Sequence, residues 1–308
     1  MALNKTDNSK VCVSLEDLLK MERVSKNFSL RSSHAKVKSI LGGKHASKLR
    51  GRGMDFEEVR NYVPGDDIRN IDWKVTARTK KTHSKVFSEE KEKPVFILVD
   101  QSKSMFFGST NYTKSVIAAQ LASTIAFRVL KEGDRVGGLI MGDTDFDILS
   151  PKRDRKNLMR FLEKLSDKNQ ALVNSKKLDF EQIFKSVIAK VRNIVTHDYL
   201  IFVISDFYRY SPTVLKSIKE LSLHNDVVLM KIDDPLEANI PDEKIVIGQD
   251  DLQLVMDGTK NKLRKDINEN YKDNLSSYES QLKKFGIPLL KFSTTDDLEI
   301  QIKEKNRK

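Results

Sequence analysis

From Pro94 onward, short apolar runs alternate with longer stretches of helical periodicity. Pro94–Val99 (PVFILV) and Tyr199–Ser205 (YLIFVIS) are unbroken apolar runs of strand length, the pattern of strands covered on both faces. Between them, Val116, Ile117, Leu121, Thr124, Ile125 and Arg128 recur at helical spacing within Tyr112–Leu130. Gly133-Asp134 then turns the chain into a strand at Arg135–Met141, with a partner at Phe146–Leu149. Helical periods follow at Arg155–Leu165, Phe180–Val191 and Pro212–Leu223, the last with proline in its first turn. Further strands are predicted at Asp226–Ile232 and Ile287–Phe292, less regular pieces at Lys244–Ile247 and Leu252–Met256, a long polar helix at Asn261–Phe285 and a closing helix at Asp296–Lys305. Strands alternating with helices of this length imply βαβ units, so the expected class is α/β with a doubly wound, mostly parallel sheet.

The first 93 residues read differently. A helix is expected at Ser14–Val24, with Ser14 and Asp17 as cap partners. Strands are expected at Met54–Val63 and Thr82–Glu90, separated by the charged turn Pro64-Gly65-Asp66-Asp67. The expected division is therefore residues 1–93, a basic extension with a charged strand and turn segment, and residues 94–308, the α/β domain.

Charge sharpens that division. The chain of 308 residues carries a net +11. Residues 1–93 hold 21 Lys and Arg against 13 Asp and Glu, whereas 94–308 hold 34 against 31. Arg23–Met54 has nine basic residues and no acidic one. Such a run could engage lipid headgroups or nucleic acid, but Phe28 is its one aromatic, so stacking positions for bases are missing and nucleic acid is disfavoured. A single cysteine, Cys12, excludes a disulfide framework or a Cys-rich zinc ribbon. No run approaches the ~20 apolar residues that a bilayer needs, and acidic residues interrupt the start of the chain where a signal peptide is apolar. A cytoplasmic setting is expected.

The sharpest candidate site is Asp100-Gln101-Ser102-Lys103-Ser104, directly after the first apolar strand. Ligands of open α/β sheets bind outside the carboxyl ends of the strands. One carboxylate and two hydroxyls at alternate positions can turn three hard oxygens toward one point, the donor type that Mg²⁺ prefers. A second carboxylate, Asp206, follows the second apolar strand and shares the crevice if the two strands are neighbours. The alternative is that Ser102 and Ser104 cap the next helix while Asp100 orders the loop.

Catalytic signatures are missing. Gly42-Gly43-Lys44 lies in no phosphate-binding loop pattern, no dinucleotide fingerprint or nucleophile elbow occurs, and the five histidines are scattered. An aspartyl-nucleophile phosphatase usually shows a second aspartate two residues on, where this chain has Ser102. A metal-dependent hydrolase at the Asp100/Asp206 crevice would lack a general base, so no enzymatic activity is expected.

A second signal is the block from Arg52 to Arg78. It interleaves Asp55, Asp66, Asp67 and Asp72 with Arg60, Arg69 and Arg78 around the sole tryptophan, Trp73. Arg–carboxylate pairs pinning an irregular segment, or a direct docking surface, would each explain that density.

Together these residues resemble a bacterial family, the fifty-eighth of the domain-of-unknown-function series, that accompanies MoxR-type AAA+ ATPases. The resemblance is carried by Gly53–Phe56, Arg60–Tyr62, Pro64–Arg69, Ile71–Lys74, Thr76–Thr79, Glu89–Glu92, Asp100–Met105 and Ser205–Phe207. It implies a von Willebrand factor A-like domain in which Asp100, Ser102, Ser104 and Asp206 match a metal-ion-dependent adhesion site. There, bound Mg²⁺ or Mn²⁺ keeps a position open for a partner's carboxylate. Leu178 stands where such domains supply a threonine, and neither Ser175 nor Asp179 is at the matching position, so the implied ligand set lacks that oxygen. The implied role is a non-catalytic adaptor or chaperone-like partner of a MoxR-type ATPase, acting on an unknown client. The alternative is binding of an anionic surface, including peripheral membrane contact, through the basic run.

Overall fold

A computed structural model describes residues 8–28, 46–47, 54–90, 93–174, 180–249 and 252–307; side chains are described for most of these. The chain divides into two compact units, one made of residues 1–38 with 93–308 and the other of residues 39–92.

In the larger unit, Ser14 opens α1 (Leu15–Ser25) through a reciprocal capping box with Asp17, as the sequence predicts. In the smaller unit, β1 (Ala46–Ser47), β2 (Met54–Asn61), α2 (Trp73–Thr79) and β3 (His83–Glu90) follow, with antiparallel strand order β1-β3-β2. The helix α2 is not evident from periodicity, because seven residues give too few turns to show one. Asp72 starts it by accepting the N–H groups of Lys74 (3.0 Å) and Val75 (3.1 Å), and Lys80 ends it in the left-handed conformation.

The remaining elements belong to the larger unit. They are β4 (Val95–Asp100), α3 (Lys114–Glu132), β5 (Val136–Met141), β6 (Phe146–Lys152), α4 (Arg155–Ala171), α5 (Phe180–Ile194), β7 (Leu200–Ser205), α6 (Pro212–Leu221), β8 (Asp226–Asp233), α7 (Pro235–Ala238), β9 (Lys244–Gln249), β10 (Leu252–Asp257), α8 (Asn261–Phe285), β11 (Leu289–Ser293) and α9 (Leu298–Arg307). A six-stranded sheet runs β11-β8-β7-β4-β5-β6, parallel throughout except for the antiparallel edge strand β6. β9 and β10 form a separate hairpin. This is the mixed α/β class with a mostly parallel sheet.

All residues of β4, β5 and β7 are buried. Alternation within β4 sends Phe96 and Leu98 to one face, where they join Phe184, Val187 and Val191 of α5 and Val214 and Ile218 of α6. Helices α3 and α4 pack against β4 and β5 respectively. Gly138 permits one close approach, since a Cβ there would lie 2.4 Å from the Ile97 carbonyl oxygen and 2.8 Å from the Phe161 ring. Gly138→Ala is therefore expected to cost about 1–3 kcal/mol in denaturant unfolding, by overpacking; a neutral effect would mean that both the β4 backbone and the Phe161 ring yield freely.

The first helix groups with residues 93–308 and not with residues 39–92. It packs on α3. Leu18 is fully buried, and the Ser123 hydroxyl donates to its carbonyl (2.7 Å). Val13 is tied to α4, its N–H donating to Asn169 Oδ1 (2.7 Å). Arg155 clasps Glu22 through two hydrogen bonds of 2.9 and 3.0 Å. The apolar face of α1 has its complement on α3, which sequence order could not reveal. Most of the basic run Arg23–Met54 lies outside the described residues, as do Ser175, Leu178 and Asp179.

Candidate functional site

Strands β4 and β7 are parallel neighbours, paired from Val95↔Leu200 to Val99↔Ile204. From β4 the chain passes to β5 and β6 on one side, whereas β7, β8 and β11 lie on the other. The crevice at the carboxyl ends of β4 and β7 is thus where strand order reverses, the usual ligand position in open α/β sheets.

Asp100 ends β4 and is buried. Its Oδ1 accepts the Ser102 N–H (3.0 Å) and its Oδ2 accepts the Ser205 hydroxyl (2.7 Å). Burial, then the nearby Asp206 charge, push its carboxyl up to about 6 despite those bonds. Ser102 is fully buried, and its hydroxyl lies 3.2 Å from that of the partly exposed Ser104. Ser102 precedes a short 3-10 turn, Lys103–Met105, but its side chain makes no cap hydrogen bond. The next α-helix is capped by Thr113 instead. Capping therefore does not account for Ser102 and Ser104 in this fold.

Asp206 follows β7 and is likewise buried. One of its oxygens accepts the Tyr208 N–H (3.0 Å), and the other meets the ammonium of Lys114 (2.7 Å). That ammonium also binds Glu237, in α7. The Lys114 side chain is 2% exposed, so it is a buried cation between two carboxylates. Burial alone would raise Asp206; the Lys114 charge and hydrogen bond hold it below the usual carboxylate range. On Lys114 the balance is reversed, since burial disfavours the ammonium but Asp206 and Glu237 raise its pKa.

Asp143, just beyond β5, completes this edge. It accepts the Lys103 N–H and pairs with Arg209 at 3.2 Å. Arg209 lies in the turn after β7, with its guanidinium 4.4 Å from the Phe180 ring centroid. The sequence-predicted residues Asp100, Ser102, Ser104 and Asp206 thus share one edge with Lys114, Asp143, Arg209 and Glu237, which pattern reading missed. Two signals were available. Gly142-Asp143 follows a parallel strand just as Asp206 does, and Lys114 places a cation in the first turn of a helix, against the helix dipole.

The predicted charged block lies in the smaller unit. Arg60 pairs with Asp66 at 2.8 Å, which lowers the Asp66 carboxyl. Asp67 accepts the Arg69 N–H (2.9 Å), and Asp72 caps α2 with Lys85 3.6 Å away. Backbone caps thus account for much of the pinning expected from Arg–carboxylate pairs. Arg69 and Arg78 are exposed, and Trp73 is 69% exposed, so the tryptophan does not organise a buried cluster.

The sequence profile described as "Protein of unknown function DUF58" matches residues 58–276, more than half of the chain. The chain belongs to that family. The DUF58 match takes in every residue of the crevice described above. Curated relatives include the uncharacterised proteins Rv1480 of Mycobacterium tuberculosis and Mb1516 of Mycobacterium bovis, each 27% identical over 216 residues, 70% of this chain and 66% of the relative. The chain thus spans just under two thirds of their length. The uncharacterised protein YeaD of Bacillus subtilis is 31% identical over 106 residues, 34% of this chain and 25% of its own. Among solved structures, the conserved hypothetical protein BatB from Bacteroides thetaiotaomicron aligns with a TM-score of 0.42 and 17% identity, covering 70% of this chain and 97% of that one. An aerotolerance-related membrane protein from Bacteroides fragilis aligns with a TM-score of 0.41, 17% identity and the same coverage. Among the described residues of this chain, no helix is long and apolar enough to cross a membrane.

Proposed function

We propose that this chain is a non-catalytic protein-binding adaptor, von Willebrand factor A-like in its larger unit, that serves in the cytoplasm as a chaperone-like partner of a MoxR-type AAA+ ATPase. The observation that carries the reading is the meeting of Asp100, Ser102 and Ser104 with Asp206 at the carboxyl edge of two adjacent parallel strands. Fixed hydrogen bonds hold both carboxylates, Asp100 to Ser205 and Asp206 to Lys114. That suits a preformed recognition edge better than a base that must exchange protons with a substrate.

The donor chemistry fits a hard cation. Asp100, Ser102 and Ser104 would hold Mg²⁺ or Mn²⁺ through oxygen, and the ion would supply a coordination position for a partner's carboxylate. Among the described residues no three His, Cys, Asp or Glu side chains gather to hold an ion, so two of the three donors would be hydroxyls. Asp206 already has a counter-ion in Lys114, which leaves Asp100 as the carboxylate for such an ion.

Co-purification of the tagged full-length chain from its native cell, with and without Mg²⁺ and ATP, tests the reading. Recovery of a MoxR-type ATPase is the expected result, and its absence under all four conditions would overturn the adaptor role. Asp100→Ala is expected to weaken the complex by tenfold or more, on the order of 2 kcal/mol. Unchanged affinity would reduce the Asp100 crevice to a structural feature.

A further inference from the structure

We propose that Arg209 is a receptor for a carboxylate presented by an Asp or Glu side chain of a partner protein. The proposal rests on the partner-binding reading above and names what this edge grips. The Arg209 side chain is 10% exposed, and its Nη1 donates to Asp143 Oδ1 at 3.2 Å. Its Nε and Nη2 are buried and have no hydrogen-bond partner among the described residues. Those two nitrogens form one edge of the guanidinium, with parallel N–H bonds spaced to meet the two oxygens of a carboxylate. A buried donor left without an acceptor is costly, and two on one recognition edge mark a place for a ligand.

The surroundings hold that fork in place. One guanidinium face stacks on Phe180 at 4.4 Å. Phe207 and Tyr210, on either side in sequence, pack edge to face with centroids 4.8 Å apart. Phe207 adopts φ 57°, an uncommon conformation for a bulky residue, in the turn that carries Arg209. Tyr208 in the same turn is 81% exposed, so the turn itself reaches the surface. Phe180 opens the 15-residue helix α5, whose amino-terminal dipole end adds positive potential beside the arginine. Asp143 balances these only in part, because its other oxygen accepts the Lys103 N–H.

A carboxylate suits this place better than a phosphate. Asp100, Asp143, Asp206 and Glu237 outnumber Lys114 and Arg209, the cations paired along this edge, so the edge repels a dianion more than a monoanion. Asp100 does not fill the fork itself, since neither Nε nor Nη2 of Arg209 bonds to it; its oxygens accept from Ser102 and Ser205.

Arginine-selective ¹H–¹⁵N spectra of the full-length protein test the assignment, with sodium acetate, a short glutamate-containing peptide and inorganic phosphate as probes. The Arg209 Nε–H resonance, identified by its loss in Arg209→Lys, is expected to move saturably with acetate and with the peptide. Arg209→Lys keeps the charge but lacks the fork, and is expected to bind the peptide at least about tenfold more weakly. If that variant does not fold, the selective shift of the same resonance in Asp143→Asn supplies the assignment. Movement no greater than that of exposed arginines, or tighter binding of phosphate than acetate, would overturn the proposal. Saturable acetate binding without ATPase recovery would sink the adaptor reading alone. ATPase binding lost in Asp100→Ala but intact in Arg209→Lys would sink the carboxylate receptor alone.

Discussion

Replacing Lys114 with methionine is expected to lower the unfolding free energy by about 3–5 kcal/mol, the usual penalty for breaking a buried ion pair from one side. Methionine nearly matches the length of the lysine stem but carries no charge. Asp206, with a side chain 3% exposed, would then lose its nearest cation, and Glu237 would lose the same partner. Only the Tyr208 N–H would remain on Asp206 among the hydrogen bonds described. Urea unfolding of Lys114→Met, Asp206→Asn and the double variant measures the effect. The double variant is expected to be less destabilised than the sum of the singles, because the first substitution removes the reason for the second penalty. Additive losses, or a loss below about 1 kcal/mol in Lys114→Met, would show that the pair contributes little.

Leu18→Ala is expected to cost about 2–5 kcal/mol, although Leu18 lies far from the sheet in sequence. Its side chain is fully buried, and α1 lies against α3, so truncation leaves a cavity between two helices that sit in fixed register. The Ser123–Leu18 backbone contact and the Arg155–Glu22 clasp restrict the collapse that would relieve it. Val11, 41% exposed near the same end of the chain, is the internal control; Val11→Ala should change stability by no more than about 0.5 kcal/mol. Equal, small effects at both positions would mean that α1 is held only loosely on the larger unit.

The strands at Val95–Asp100, Val136–Met141 and Leu200–Ser205 were legible because they are buried on both faces, which forces continuous apolar runs. Helix ends were less so. The sequence ends the helix after Gly133-Asp134-flanked β5 and β6 at Leu165, whereas α4 runs to Ala171, because its last turns are polar and carry little periodic signal. In the smaller unit, α2 is too short to show a period, so the sequence places Asp72 only within a charged block and does not mark it as a helix cap.

By itself, the sequence determined the α/β class, the membership signature and the position of Asp100, Ser102, Ser104 and Asp206 at strand ends, since local periodicity and spacing are sufficient for those. It also showed where the positive charge lies. Only the tertiary structure decided that β4 and β7 are adjacent, that α1 belongs with the larger unit and that Lys114 supplies the buried cation for Asp206. The same holds for the Arg209 edge that has no hydrogen-bond partner among the described residues. The physical reason is common to all four. Strand order, helix docking and ion pairing across 92 residues are contacts between distant segments, and a linear pattern records which side chains seek burial or a counter-ion without recording which partner they find.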